Sequence, residues 1–419
     1  MLWIWTLATA SVLSLLLARY LMGRPMLDGS MMALGFAFYC LLPFLTYGTD
    51  AYSGGPGEDL WKGEFEGLYA ASGSMAVLIL IFVLAFLAGR LVPAPALGRK
   101  LNRPIAPATT QVATLLLGLM WLLFAYQARD SLGAGYGVEY QPNLMGPLAT
   151  VNLIATLMLL NLKQWKQAPA MENWLALLLL VNSLLLLSMG GRMYVLVALL
   201  CLLLQHVNTH ARHPWARARL LLFTTGALVA LAGVGVWRLG LDFEPGLLVI
   251  TALAEPILTS ISLASYHACG DPQLLAFPYN FLGSIVNFVP SGLLPDKAAL
   301  MPGLDPTENC MVSPFGATHL GPALLVNFGL VGSACFLALF SYLLKAFRVV
   351  TKNGWWFHYY LCGLLPFMFF RDGFLIFNKA LFGSGLLVGA VLIFMGGTRW
   401  MRRRHAGSRA SARARAPSN

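Results

Sequence analysis

Long apolar runs alternate with short polar joints along the whole chain, and the runs have the length needed to cross a bilayer as helix. About 30 Å of hydrocarbon takes roughly 17–25 apolar residues at the helical rise. Such runs lie at 2–22, 31–47, 69–92, 111–128, 146–162, 174–189, 193–207, 219–237, 321–344, 357–370 and 380–398. The pattern predicts an all-α integral membrane protein of about eleven transmembrane helices. Residues 1–398 are read as one polytopic membrane domain, and 399–419 as a basic cytoplasmic tail expected to be disordered near the membrane surface. The first run has neither a basic stretch before it nor a cleavage site before Arg19, so it is read as a retained helix.

The polar joints then orient the spans. With the N-terminus outside, 21 of the 28 Lys and Arg fall on the cytoplasmic side, leaving Lys62, Arg129, Arg192, Arg238, Lys297, Arg371 and Lys379 outside. Of the 17 acidic residues, 15 fall outside, with Asp28 and Glu172 the exceptions. The excess of Lys and Arg in cytoplasmic joints predicts N-out and C-in. With 58% hydrophobic and 11% charged residues, an ordinary water-soluble globule is excluded. The net charge of +11 borders an anionic leaflet, so membrane lipids are expected partners and nucleic acid is not.

Two outside joints are long. Residues 48–68 are a Gly-rich acidic loop, and 238–320 make an outside segment of about 83 residues that is too apolar for disorder. Within the second, 247–266 reads as a helix on which Thr251, Glu255, Thr259, Ser262 and Tyr266 share one face at steps of three or four. Pro256 either kinks that helix or marks its start. A stretch rich in Pro and Gly follows, from Pro290 to His319, and reads as ordered irregular backbone lining a cavity. Cys269 and Cys310 lie in this segment, either bonded to each other or free. His206 and His210, four apart on a helix, are read as interfacial histidines, and no cysteine or histidine cluster has metal-ligand spacing.

Arginine stays charged near hydrocarbon and is costly there, so one at the outer end of a span is a candidate functional residue. Arg192, in Ser188-Met-Gly-Gly-Arg192, Arg238 after Trp237, and Arg371 before Asp372 all qualify. The bland alternative for each is snorkelling to headgroups, and for Arg371 pairing with Asp372. Guanidinium forks suit a diphosphate, and Gly190 and Gly191 would let backbone approach an anion. Glu255 and His319 are the candidate catalytic groups, with Asp242, Glu244, Tyr266 and His267 as further polar residues facing the same space. The alternatives are an ion pair with Arg238 or Arg192 for Glu255 and a loop-bonded structural role for His319. The chain carries no nucleophile elbow, P-loop or HExxH motif.

The Gly191-Arg192 turn between adjacent spans, the large late loop, the run Thr318-His-Leu-Gly-Pro-Ala-Leu-Leu-Val-Asn-Phe-Gly-Leu-Val-Gly332 and the late Arg371-Asp372-Gly373 together resemble the Wzy-type O-antigen polymerases, a family similar to the O-antigen ligases. The resemblance covers the span plan of nearly the whole chain. It implies a GT-C-like fold whose periplasmic loop holds short helices, in the bacterial inner membrane with the active site facing the periplasm. The implied activity is polymerisation of undecaprenyl-diphosphate-linked oligosaccharide in lipopolysaccharide biosynthesis, with no cofactor and no metal. It further implies that Arg192, Arg238 and Arg371 bind the donor diphosphate, and that His319 stands near the place of the ligases' catalytic histidine. Asp242, Tyr266 and His267 are then expected to meet acceptor or glycan. A polysaccharide chain-length regulator of the Wzz type is the implied protein partner. Three rivals remain: a ligase using a lipid A-core acceptor, a polysaccharide transporter or flippase, and an assembly subunit.

Overall fold

The computed structural model describes residues 2–47, 72–94, 107–129, 142–165, 169–210, 213–238, 245–268, 273–286, 289, 294, 296, 317–351, 356–371 and 373–387. Among these residues every regular element is a helix, with no strand. The helices are α1 Leu2–Leu21; α2, built from Asp28–Gly35, a π-helical segment Phe36–Leu41, and Leu42–Tyr47; α3 Ser72–Leu91; α4 Pro107–Gln127; and α5 Pro142–Trp165. They continue as α6 Pro169–Ser188, α7 Arg192–Thr209, α8 Pro214–Arg238, α9 Pro245–Ala268, α10 Tyr279–Val286 and α11 Leu320–Thr351. Last come α12, in two pieces Trp356–Leu364 and Met368–Arg371, and α13, Gly373–Asn378 running into a π-helical segment Lys379–Leu387.

Five of these helices open on proline, at 107, 142, 169, 214 and 245. That position has no intrahelical use for an N–H, and proline's fixed φ suits the first turn. The turn from α6 to α7 is closed by glycine. The Gly191 N–H donates to the Leu186 carbonyl at 2.6 Å and the Gly190 N–H to Leu187 at 3.1 Å, with Gly190 at φ 91. This paired closure of a helix C-terminus needs the left-handed backbone that glycine adopts without a Cβ clash. A Cβ at Gly191 would press within 3.1–3.3 Å of Leu186. Both glycines therefore have a folding role, which is distinct from the approach to an anion expected of them.

Seven helices among the described residues are long and apolar enough to cross a membrane: Ile4–Leu21, Gly73–Leu91, Met145–Lys163, Pro169–Ser188, Arg192–Thr209, Pro214–Val236 and Leu320–Val350. Each coincides with one of the eleven expected runs. Two more runs correspond to shorter apolar helices, Asp28–Phe44 and Val112–Gln127. Run 357–370 is the divided α12, and 380–398 begins in α13 and continues outside the described residues.

Helix α5 is the axis of the bundle, with 72% of its span buried against 11% for α1. It packs on α4, α6, α7 and α12. Buried amides bind these helices together. Asn152 donates to the Tyr194 carbonyl at 3.1 Å, Asn182 to the Leu148 carbonyl at 3.0 Å and to Asn152 Oδ1 at 3.2 Å, and Gln205 to the Leu160 carbonyl at 2.8 Å. Between apolar helices in lipid, burial of hydrocarbon gives little net attraction. Such bonds, worth about 0.6–2 kcal/mol each, therefore fix which helix faces meet.

Arg24, Arg90, Arg217, Lys345 and Arg348 gather at one end of the bundle. Buried Arg217 donates to the carbonyls of Tyr20 (2.6 Å), Arg24 (3.2 Å) and Gly23 (3.3 Å), closing the C-terminus of α1 where unbonded carbonyls concentrate negative charge. Lys345 does the same for α3, donating to Arg90 and Val92 carbonyls at 2.6 and 2.8 Å. Fully buried Asp28 pairs closely with Arg90 and lies 3.6 Å from Arg348 and 3.8 Å from His358.

Candidate functional site

At the opposite end, α9 lies across the bundle against α2, α8 and α11. Its polar stripe turns inward. Thr259 and Ser262 are buried, Thr259 Oγ1 bonding the Glu255 carbonyl (2.7 Å) and Ser262 Oγ the Thr259 carbonyl (2.8 Å). Thr and Ser thus bond back into their own helix. Ser262 Oγ also accepts the His319 N–H at 2.8 Å, tying α9 to the start of α11.

Glu255 meets Arg371 here, an arginine other than the Arg238 or Arg192 expected as its ion-pair partner. Its Oε1 lies 2.7 Å from Arg371 Nε, and the Tyr39 hydroxyl reaches the same oxygen at 3.5 Å. The Glu255 side chain is 33% exposed and that of Arg371 24%, so the pair opens to the surroundings. The Arg371 carbonyl accepts the Thr318 N–H at 2.8 Å, which joins the end of α12 to the residue before His319.

His319 is buried with both ring nitrogens engaged. Nδ1 accepts the Gly321 N–H at 3.0 Å, which leaves Nε2 to carry the proton toward the Tyr39 carbonyl at 3.2 Å, with Cys40 Sγ 3.5 Å away. Burial pushes its pKa down to about 4, in keeping with a neutral ring. The ring therefore crosslinks α2 to α11. Tyr39 and Cys40 belong to the π-helical part of α2, an irregularity often found at functional sites.

The other expected site residues distribute as follows. Arg192 is the first residue of α7 and partly buried. Cys201 of α7 touches Gly363 of α12, so Arg192, nine residues up one helix, and Arg371, eight residues up the other chain segment, stand at about equal height. Tyr266 is half-buried on α9, where desolvation raises its pKa, and exposed His267 bonds Ser74 Oγ at 2.7 Å. Arg238 ends α8, but its side chain lies outside the described residues, as do Thr251's side chain and the whole of Asp242, Glu244, Asp372, Cys269 and Cys310. His206 and His210 stack at 5.3 Å, and no group of three metal-ligating residues occurs among the described residues.

An apolar cavity of about 390 Å³ lies between α6, α7 and α8. Its wall reaches Leu187 and Val195, within one turn of the Gly190–Arg192 corner, and Val234, one turn from Arg238.

Sequence reasoning missed Tyr39 and Cys40, which sit in an apolar run with no local signal. It also missed the Asp28 group, for which an acid opening an otherwise apolar helix was the available clue. Comparison of the chain with protein-family models, with curated proteins and with solved structures finds no match.

Proposed function

We propose that the chain is an inner-membrane glycosyltransferase that polymerises oligosaccharide repeat units carried on undecaprenyl diphosphate, with its site at the periplasmic end of the bundle. The observation that carries this reading is the Glu255–Arg371 pair. It is an open ion pair in an apolar bundle, at the end away from the basic cluster, on a frame stiffened by His319 and Ser262. Charges placed there are costly unless they are used.

In the reaction the anomeric C–O bond to the lipid diphosphate breaks and its electron pair leaves on the diphosphate oxygen. The acceptor hydroxyl oxygen bonds the anomeric carbon and its proton passes to the Glu255 carboxylate. Arg192 and Arg238 hold the diphosphate, while Arg371 orients Glu255 and adds positive charge beside it, where charge develops. The cavity below Arg192 and Arg238 offers an apolar bed for the isoprenoid chain. His319, with its nitrogens occupied, is a positioning residue in this scheme.

Removing an arginine that stabilises the leaving group is expected to cost about 2–4 kcal/mol in the transition state, roughly 10²–10³ in rate. Lysine restores this only in part, because an ammonium cannot make the two-pronged contact. Glycan ladders from cells carrying Arg192→Ala or Arg238→Ala at equal membrane abundance should be short, while Lys62→Ala and Lys297→Ala leave them full. Full ladders from both arginine variants would remove the proposed role. One feature favours transport as a second reading: α11 is broken at Gly329 (φ 69, ψ −175), and discontinuous helices are common in transporters. Purified protein supplied with lipid-linked repeat units lengthens glycans only on the polymerase reading.

A further inference from the structure

The break in α11 is filled by a piece of the long late segment. The Leu330 N–H donates to the Gln273 carbonyl at 2.8 Å and the Val331 N–H to the Leu274 carbonyl at 3.0 Å. A Cβ at Gly329 would stand 2.7 Å from those same carbonyl groups, and its φ of 69 suits glycine. Gln273 and Leu274 thus supply the acceptors that the interrupted helix no longer provides. Helix α10 follows, with the Phe281 N–H bonded to Asn327 Oδ1 at 2.6 Å, Asn378 bonded to Ser284 Oγ at 2.6 Å, and the Phe281 ring packed on Phe328, Phe336 and Phe374.

The depth of this contact follows from α3, which runs parallel to α11 with Gly89 against Ala338. Nine residues back from both contact points, Gly329 is level with Leu80, about the middle of the Gly73–Leu91 span. The side of 273–282 turned away from the protein presents Leu274, Leu275, Phe277, Tyr279 and Leu282, all exposed and the first two by more than two thirds. Leu80 and Leu84 on α3 and Val331 on α11, all near the same height, are exposed as well. From Pro272 to Pro295 the sequence contains no Asp, Glu, Lys, Arg or His.

We infer that residues 273–286 form a re-entrant element within the hydrocarbon of the membrane, contacting lipid acyl chains, inside a segment whose charge pattern otherwise reads as a periplasmic loop. An uncharged stretch whose backbone is bonded to a broken helix is the form in which irregular backbone is tolerated at this depth. Water at this level would instead face a broad apolar surface on three elements.

The test uses the full-length protein in phospholipid nanodiscs, with nitroxide labels introduced one at a time at Leu275→Cys, Phe277→Cys and Leu282→Cys and reactive background cysteines removed. Collision with oxygen relative to a water-soluble nickel complex should match that of Leu84→Cys on α3 and exceed that of Asp296→Cys several-fold. Ratios equal to that at Asp296, or placing all three labels at headgroup depth, would overturn the inference. Hydrogen–deuterium exchange of the unlabelled protein tests the same idea without substitution. Slow exchange at Ala276 and Phe277 is expected, and exchange as fast as an exposed loop would overturn it.

Discussion

Two ion pairs, one at each end of the bundle, show how the same chemistry serves different ends. Asp28 is fully buried and closely paired with Arg90, while Arg348 at 3.6 Å adds a second cation and the buried His358 ring approaches to 3.8 Å. Glu255 faces Arg371 with both side chains a quarter to a third exposed. The buried carboxylate, met by two arginines that are themselves 16% and 29% exposed, joins α2, α3, α11 and α12. An open pair can exchange partners. Burial of the carboxylate, rather than the presence of opposite charges, separates the stapling pair from the one proposed to work.

The largest effect should come from the sealed end. Asp28→Asn leaves Arg90 and Arg348 without their counter-charge in a low-dielectric setting, and breaking a buried pair in this way costs about 3–5 kcal/mol. Thermal unfolding of the purified protein and its abundance in membranes should both fall sharply. Unchanged stability would mean that the staple is not one.

Glu255→Gln should invert that profile, with a loss of roughly 10²–10³ in glycan elongation and a stability change within about 1 kcal/mol, as for a partly exposed pair. The contrast breaks if Glu255→Gln lowers the unfolding temperature as far as Asp28→Asn, for both pairs would then be structural. Smaller still is Tyr39→Phe. It removes a hydroxyl 3.5 Å from Glu255 while keeping the ring stacked on Phe370, and should cost about 0.5–1.5 kcal/mol, read as a modest drop in rate at unchanged membrane abundance. A rate loss as large as that of Glu255→Gln would make Tyr39 a direct participant and redraw the site around α2.

Parts of the site were legible because they carried a local signal. Glu255 and Ser262 lay on a stripe with helical spacing, and Arg371 stood out as a charge at a span end. Tyr39 and Cys40 carried none: they sit in an unbroken apolar run, and only the π-helical segment and the packing of α9 on α2 bring them to Glu255 and His319. Run 31–47 was read as a span by composition, and in the fold it lies within α2, which opens three residues earlier on the buried Asp28.

Hydropathy and charge placement are properties of single residues partitioning between water and hydrocarbon, so they can be read along the chain. They determined seven helices of spanning length and the placement of the basic residues. Pairings are properties of packed helices, and they join positions as distant as Cys40 and His319, 279 residues apart. Which polar group is sealed, which stays open, and which segment fills the break in α11 were decided only when those helices met.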